Sequence, residues 1–143
     1  MEILLTHEKG LLFSGANSTG TRVSIGRPSD YPEATSPMEL LLEALAGCSS
    51  IDVLMILEKQ KARVDRYQVR VLGHREEVGA AKPFTAVDME YSVDTDALPA
   101  KVARALQLSL EKYCSVAKTI ERSVAIHYAL VVNGRPVEFP EKE

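Results

Sequence analysis

Short apolar runs at strand spacing open the chain, at residues 3–6, 11–13 beyond Glu8-Lys9-Gly10, and 22–25 beyond Asn17-Ser18-Thr19-Gly20. They predict a β-meander. Residues 26–36 carry Pro28, Ser29, Asp30, Pro32 and Ser36, a span too broken for regular structure, and predict a surface loop. Ser36-Pro37-Met38-Glu39 then signals a helix start three times over, with a Ser N-cap, a Pro at the first helical position and a Glu placed to close a capping box. The residues that follow, 40–48, are apolar on nearly every side, so this helix must be enclosed rather than laid on a surface. It runs on through Ile51, Val53, Leu54, Met55 and Leu57 towards Lys59, Lys61 and Arg63, cations suited to the negative end of the helix dipole.

Beyond the helix the period changes to two. Tyr67, Val69 and Val71 alternate with Gln68 and Arg70, and Val87, Met89, Tyr91 and Val93 alternate with Asp88, Glu90, Ser92 and Asp94, which predicts two half-buried strands. Pro99 opens a second helical pattern, with Val102, Ala105, Leu106, Leu108 and Leu110 running towards Tyr113 and Cys114, and a short third helix restarts over 115–121. Val124, Ile126, Tyr128, Leu130 and Val132 form the last predicted strand, and Asn133-Gly134-Arg135-Pro136 turns into a polar tail from about 134 to 143. The order β-β-β-α-β-β-α-α-β has too few strand–helix–strand alternations for a doubly wound sheet and favours an α+β domain of antiparallel strands. One sheet can cover only one side of the apolar helix. A second copy of the chain could cover the rest, which predicts a homodimer.

Composition narrows the function. A chain of 143 residues is one domain's worth, and its 45% hydrophobic and 26% charged residues support a packed core. The net charge of −3 offers no cationic field for a phosphate backbone, so no nucleic acid partner is expected, and the strip of Arg63, Arg66, Tyr67 and Arg70 reads as a wet sheet face. Glu39, Glu43 and Asp52 interrupt the apolar stretch 38–57, which argues against a membrane span. The opening Met1-Glu2-Ile3-Leu4-Leu5 has neither a basic start nor a long apolar run, so the expected location is cytoplasmic. His7, His74 and His127 are isolated, with no metal-ligand spacing; without a Gly-rich phosphate loop, a nucleophile elbow or a paired acid motif, kinase, hydrolase and glycosidase readings have no support, and no cofactor is expected.

Two cysteines remain as candidate chemistry. Cys48 follows Gly47 in the middle of the first helix, and Cys114 stands at the break before Ser115, where a helix N-terminus lowers a thiol pKa. Free cysteines also serve as small buried hydrophobes, and residue physics leaves both readings open.

Ser36-Pro37-Met38-Glu39-Leu40-Leu41-Leu42, with Ala44-Leu45-Ala46-Gly47-Cys48-Ser49-Ser50-Ile51-Asp52-Val53, resembles the central-helix signature of the OsmC-like family, which includes the organic hydroperoxide resistance proteins. Glu111-Lys112-Tyr113-Cys114-Ser115-Val116-Ala117 resembles its second-cysteine signature. The order of elements agrees over about residues 3–132, and the YhfA-like branch is the most similar. The resemblance implies an intertwined homodimer with sheets wrapped around two long central helices. It also implies that Cys48 attacks an organic hydroperoxide and that Cys114 resolves the sulfenic acid to a disulfide, which a cellular dithiol such as a lipoylated protein reduces.

The departures from the family pattern are specific. In the peroxidase branches a glutamate follows the helix-opening proline and works with an arginine to stabilise the thiolate, whereas here Met38 stands in that place. Glu39 is nine residues before Cys48, hence on the opposite side of the helix and more than ~10 Å along it. Arg22 and Arg27 are the two arginines upstream of Cys48, and Arg27, in the loop, is the freer to reach a thiolate. Asp52, one turn past Cys48, reads either as a group that positions substrate or takes protons, or as a buried aspartate hydrogen-bonded to backbone or a neighbouring strand. Two functions follow: a thiol peroxidase, or a non-peroxidatic member binding a small apolar or thiol-reactive molecule at the dimer interface, lined by Met38, Met55, Tyr113 and the cysteines.

Overall fold

A computed structural model describes residues 1–141, in two compact units, Met1–Leu41 and residue 42 onward. In the first unit, β1 (Ile3–Lys9), β2 (Leu12–Asn17) and β3 (Arg22–Ile25) form the antiparallel meander, in that order. Gly10, at φ +49°, turns β1 into β2, and the Asn17 carboxamide oxygen accepts from the backbone N–H groups of Thr19 and Thr21 to close the next turn. The 26–36 loop ends where Ile25 and Thr35 pair, delivering Ser36 to the start of α1 (Pro37–Lys59). The capping box forms there. Glu39 N–H donates to Ser36 Oγ at 3.2 Å, and Ser36 N–H donates to Glu39 Oε2 at 2.9 Å. The Ser36 contacts hold the Glu39 carboxyl below its usual range.

The second unit holds most of α1, then β4 (Val64–Arg75), β5 (Phe84–Thr95), α2 (Pro99–Leu108), a π-helical turn (Ser109–Tyr113), α3 (Ser115–Ile120), β6 (Ala125–Val132) and β7 (Arg135–Val137). Its strands form one sheet, ordered β4-β5-β6-β7. The alternation of β5 is realised: Val87, Met89, Tyr91 and Val93 are buried, whereas Asp88 and Glu90 are exposed. They pack in one core with Leu45, Val53 and Leu57 of α1 and with Val102, Ala105 and Leu106 of α2. Only one stripe of α1 is sealed, Leu45, Ser49, Val53 and Leu57 at four-residue spacing, while Leu41, Ile51, Leu54 and Met55 stay 39–62% exposed.

Three features correct the sequence expectation. β5 and β6 pair in parallel, although the other strand pairs are antiparallel, because the helical crossover returns the chain to the same end of the sheet. The expected polar tail contains β7, antiparallel to β6, with Val137 and Phe139 packed against the core. Asn133 (φ +50°) and Gly134 (φ +79°) form its two-residue hairpin turn, and an edge strand tolerates Pro136, which has no N–H to donate. The second helix also does not run on to Tyr113 in α geometry but loosens into the π-helical turn at Ser109.

Candidate active site

Cys48 lies on α1 next to the buried stripe and is half-buried; Cys114 is fully buried, and both thiols are free. Cys114 ends the π-helical turn, where its N–H donates to the Ser109 carbonyl at 2.7 Å, and its sulfur caps α3 by accepting the Ala117 N–H at 3.4 Å. Its thiol pKa is pushed up to about 11. Burial is the main cause, outweighing the Ala117 N–H that lowers it, and the neighbouring Cys48 thiol raises it further. The lowering expected from the helix N-terminus is present but outweighed: six residues of helix supply a weaker effect than complete enclosure.

Cys48 and Cys114 therefore meet in the second unit across the 65 residues between them, and Asp52 joins them through Ser109. Ser109 is fully buried, with Oγ 2.8 Å from Asp52 Oδ2 and 3.1 Å from the Ser49 carbonyl. The partner of this half-buried carboxylate oxygen is a side-chain hydroxyl from the π-helical turn, neither the backbone nor the strand of the hydrogen-bonded reading. Beneath the cysteines lies a tyrosine layer. The Tyr91 hydroxyl is 2.6 Å from Ser49 Oγ, and burial first, with Cys114 among the lesser causes, raises its pKa. Tyr67 packs edge-on to Tyr91 with ring centroids 6.4 Å apart, and burial pushes it up to about 12.

The arginines stand in the first unit. Arg27 Nε donates to Asp30 Oδ2 at 2.6 Å in an exposed pair, and Arg22 Nη1 donates to Ser14 Oγ at 3.2 Å. Met38 is half-buried in the first turn of α1, and Met55 and Tyr113 are half exposed. Sequence reasoning missed Ser49 and Ser109. Both had a signal: Ser49 interrupts the apolar stripe 45-49-53-57, and Ser109 interrupts 102-105-106-109, each placing a hydroxyl where the helical period asks for an apolar side chain.

Residues 29–129 match the family model described as OsmC-like protein. The chain belongs to the OsmC-like family. Over 126 residues it is 40% identical to Protein YhfA of Escherichia coli K12, covering 87% of this chain and 92% of that protein. A crystal structure of a hypothetical protein from Aquifex aeolicus superposes with a TM-score of 0.81 at 26% identity, covering 98% of this chain and 97% of that one. The fold is also that of an organic hydroperoxide resistance protein OsmC from Legionella pneumophila, with a TM-score of 0.66 at 15% identity over 92% of this chain and 98% of the other. OsmC-like membership makes α1, long and apolar enough to cross a membrane, the core helix of a soluble protein.

Proposed function

We propose that the protein reduces organic hydroperoxides with its two cysteines. The observation that carries this reading is a reachable thiol, half-buried Cys48, neighbouring an enclosed one, Cys114. The Cys48 thiolate attacks a peroxide oxygen; the O–O bond breaks, Cys48 becomes a sulfenic acid, and the other oxygen leaves as an alcohol after taking a proton. Cys114 then displaces the sulfenic oxygen, which leaves as water with the Cys114 proton, and forms the disulfide. A cytoplasmic dithiol such as a lipoylated protein exchanges with that disulfide and restores both thiols.

Arg27 is the residue proposed to activate the thiolate, and its exposed pair with Asp30, of the kind worth about 0–1 kcal/mol, leaves its guanidinium readily available. The active form is a homodimer in which a second copy covers Ile51, Leu54 and Met55 of α1. A second reading, binding of an apolar molecule without turnover, is favoured by one observation, Met38 in place of the thiolate-stabilising glutamate.

Steady-state turnover of cumene hydroperoxide with dihydrolipoamide separates the two. We expect turnover that Cys48→Ser abolishes, Cys114→Ser slows with loss of enzyme to overoxidation, and Arg27→Ala lowers by about 10²-fold in kcat/KM, the scale of one electrostatic donor. No turnover by the wild type, with both serine variants indistinguishable from it, would overturn the peroxidase reading.

A further inference from the structure

Ser109 holds both cysteines at once. Its carbonyl accepts the Cys114 N–H at 2.7 Å, and its hydroxyl reaches back to α1 on the Cys48 side, 2.8 Å from Asp52 Oδ2 and 3.1 Å from the Ser49 carbonyl. A single fully buried residue thus joins the backbone of Cys114 to the helical turn that follows Cys48. The hydroxyl has one proton, and the charged carboxylate at the shorter distance is the stronger acceptor, so Asp52 is the principal anchor. The joint lies at the first residue of the π-helical turn, geometry that is energetically poorer than α and needs outside support to persist.

We propose that Ser109, anchored by Asp52, is a positioning residue that sets the approach of Cys114 to Cys48 and thereby governs closure of the disulfide. The inference rests on the proposed function for its biological meaning but not for its test. With a hydroperoxide, the closing step forms the S–S bond, breaks the Cys48 S–O bond and releases water. With diamide as oxidant, Cys48 adds across the N=N bond, and Cys114 then displaces the hydrazide to the same disulfide. Removing the Ser109 hydroxyl leaves the carbonyl–Cys114 bond in place but unties the turn from α1. Cys48 stays as reachable as before, while the reacting sulfurs lose their alignment, where misplacement by about an ångström costs as much as 10²-fold.

The experiment compares wild type, Ser109→Ala, Asp52→Ala and Asp52→Asn in the full chain. It follows disulfide closure by thiol count and intact mass after diamide and, separately, after one equivalent of cumene hydroperoxide. Alkylation of Cys48 by iodoacetamide in a Cys114→Ser background reports access. The two alanine variants are expected to close about tenfold or more slowly and to accumulate the open Cys48 adduct or its sulfinic acid. Asp52→Asn, which keeps an acceptor oxygen, is expected to recover closure, and alkylation is expected to stay within about twofold throughout. Melting curves identify a variant that fails to fold. If that is Ser109→Ala, the Asp52 pair, at a half-buried site, decides the matter. Closure at the wild-type rate in the folded alanine variants overturns the proposal. Lack of hydroperoxide turnover alongside Ser109-dependent closure by diamide defeats only the peroxidase reading.

Discussion

At the scale of single residues, the enclosed thiol of Cys114 has a thermodynamic consequence. An unfolded cysteine ionises near the ordinary value of 9.0, whereas the folded thiol holds its proton to about 11. The unfolded chain loses the proton first, so the stability tied to this group is complete below about pH 9 and is lost as pH rises to about 11. Urea unfolding followed from pH 8 to 11 is therefore expected to show a decline that begins near 9, and Cys114→Ala removes this component. Tyr67 and Tyr128, each raised from 10.0 to about 12, contribute later and equally in both proteins. Parallel curves for wild type and variant would count against an enclosed thiol. The helix start at Cys114 was readable in the sequence, and so was the sign of its effect on the thiol. Enclosure was one of two readings left open there, and the contacts from α1 and the sheet that decide it are not encoded in any local pattern.

At the scale of elements, the π-helical turn is the part of the fold that periodicity could not reveal. Positions 102, 105, 106, 109 and 110 suit an α-helix through Leu110, and the wider turn changes phase only over the last residues before Cys114. By contrast, α1 was legible from end to end, because its signals are local: Ser36, Pro37 and Glu39 at the start and Lys59 in the last turn. β7 was hidden for a different reason. Asn133-Gly134 announces a hairpin, but a three-residue edge strand containing Pro136 is too short to show a period.

At the scale of the whole molecule, the unsealed side of α1 is the feature on which the proposed dimer rests. Ile51, at 62% exposure, and Met55, at 51%, lie on a helix whose opposite stripe is fully enclosed. Single exposed apolar side chains are commonplace, but several on one central helix are not. Leu54→Glu, a charge placed on that side, is expected to leave a folded chain that sediments as a 15.7 kDa monomer, and the wild type is expected to sediment at twice that mass. A monomeric wild type would exclude the second copy as the cover. The parallel pairing of β5 with β6 carries its own meaning for the life of the chain. Strands aligned this way cannot zip up from a hairpin; they wait for the intervening crossover to dock, and such distant pairings are among the slowest steps of folding. A newly made polypeptide therefore bears two sulfhydryl groups with 65 residues between them, and they become neighbours only once the crossover has docked against α1 and the sheet.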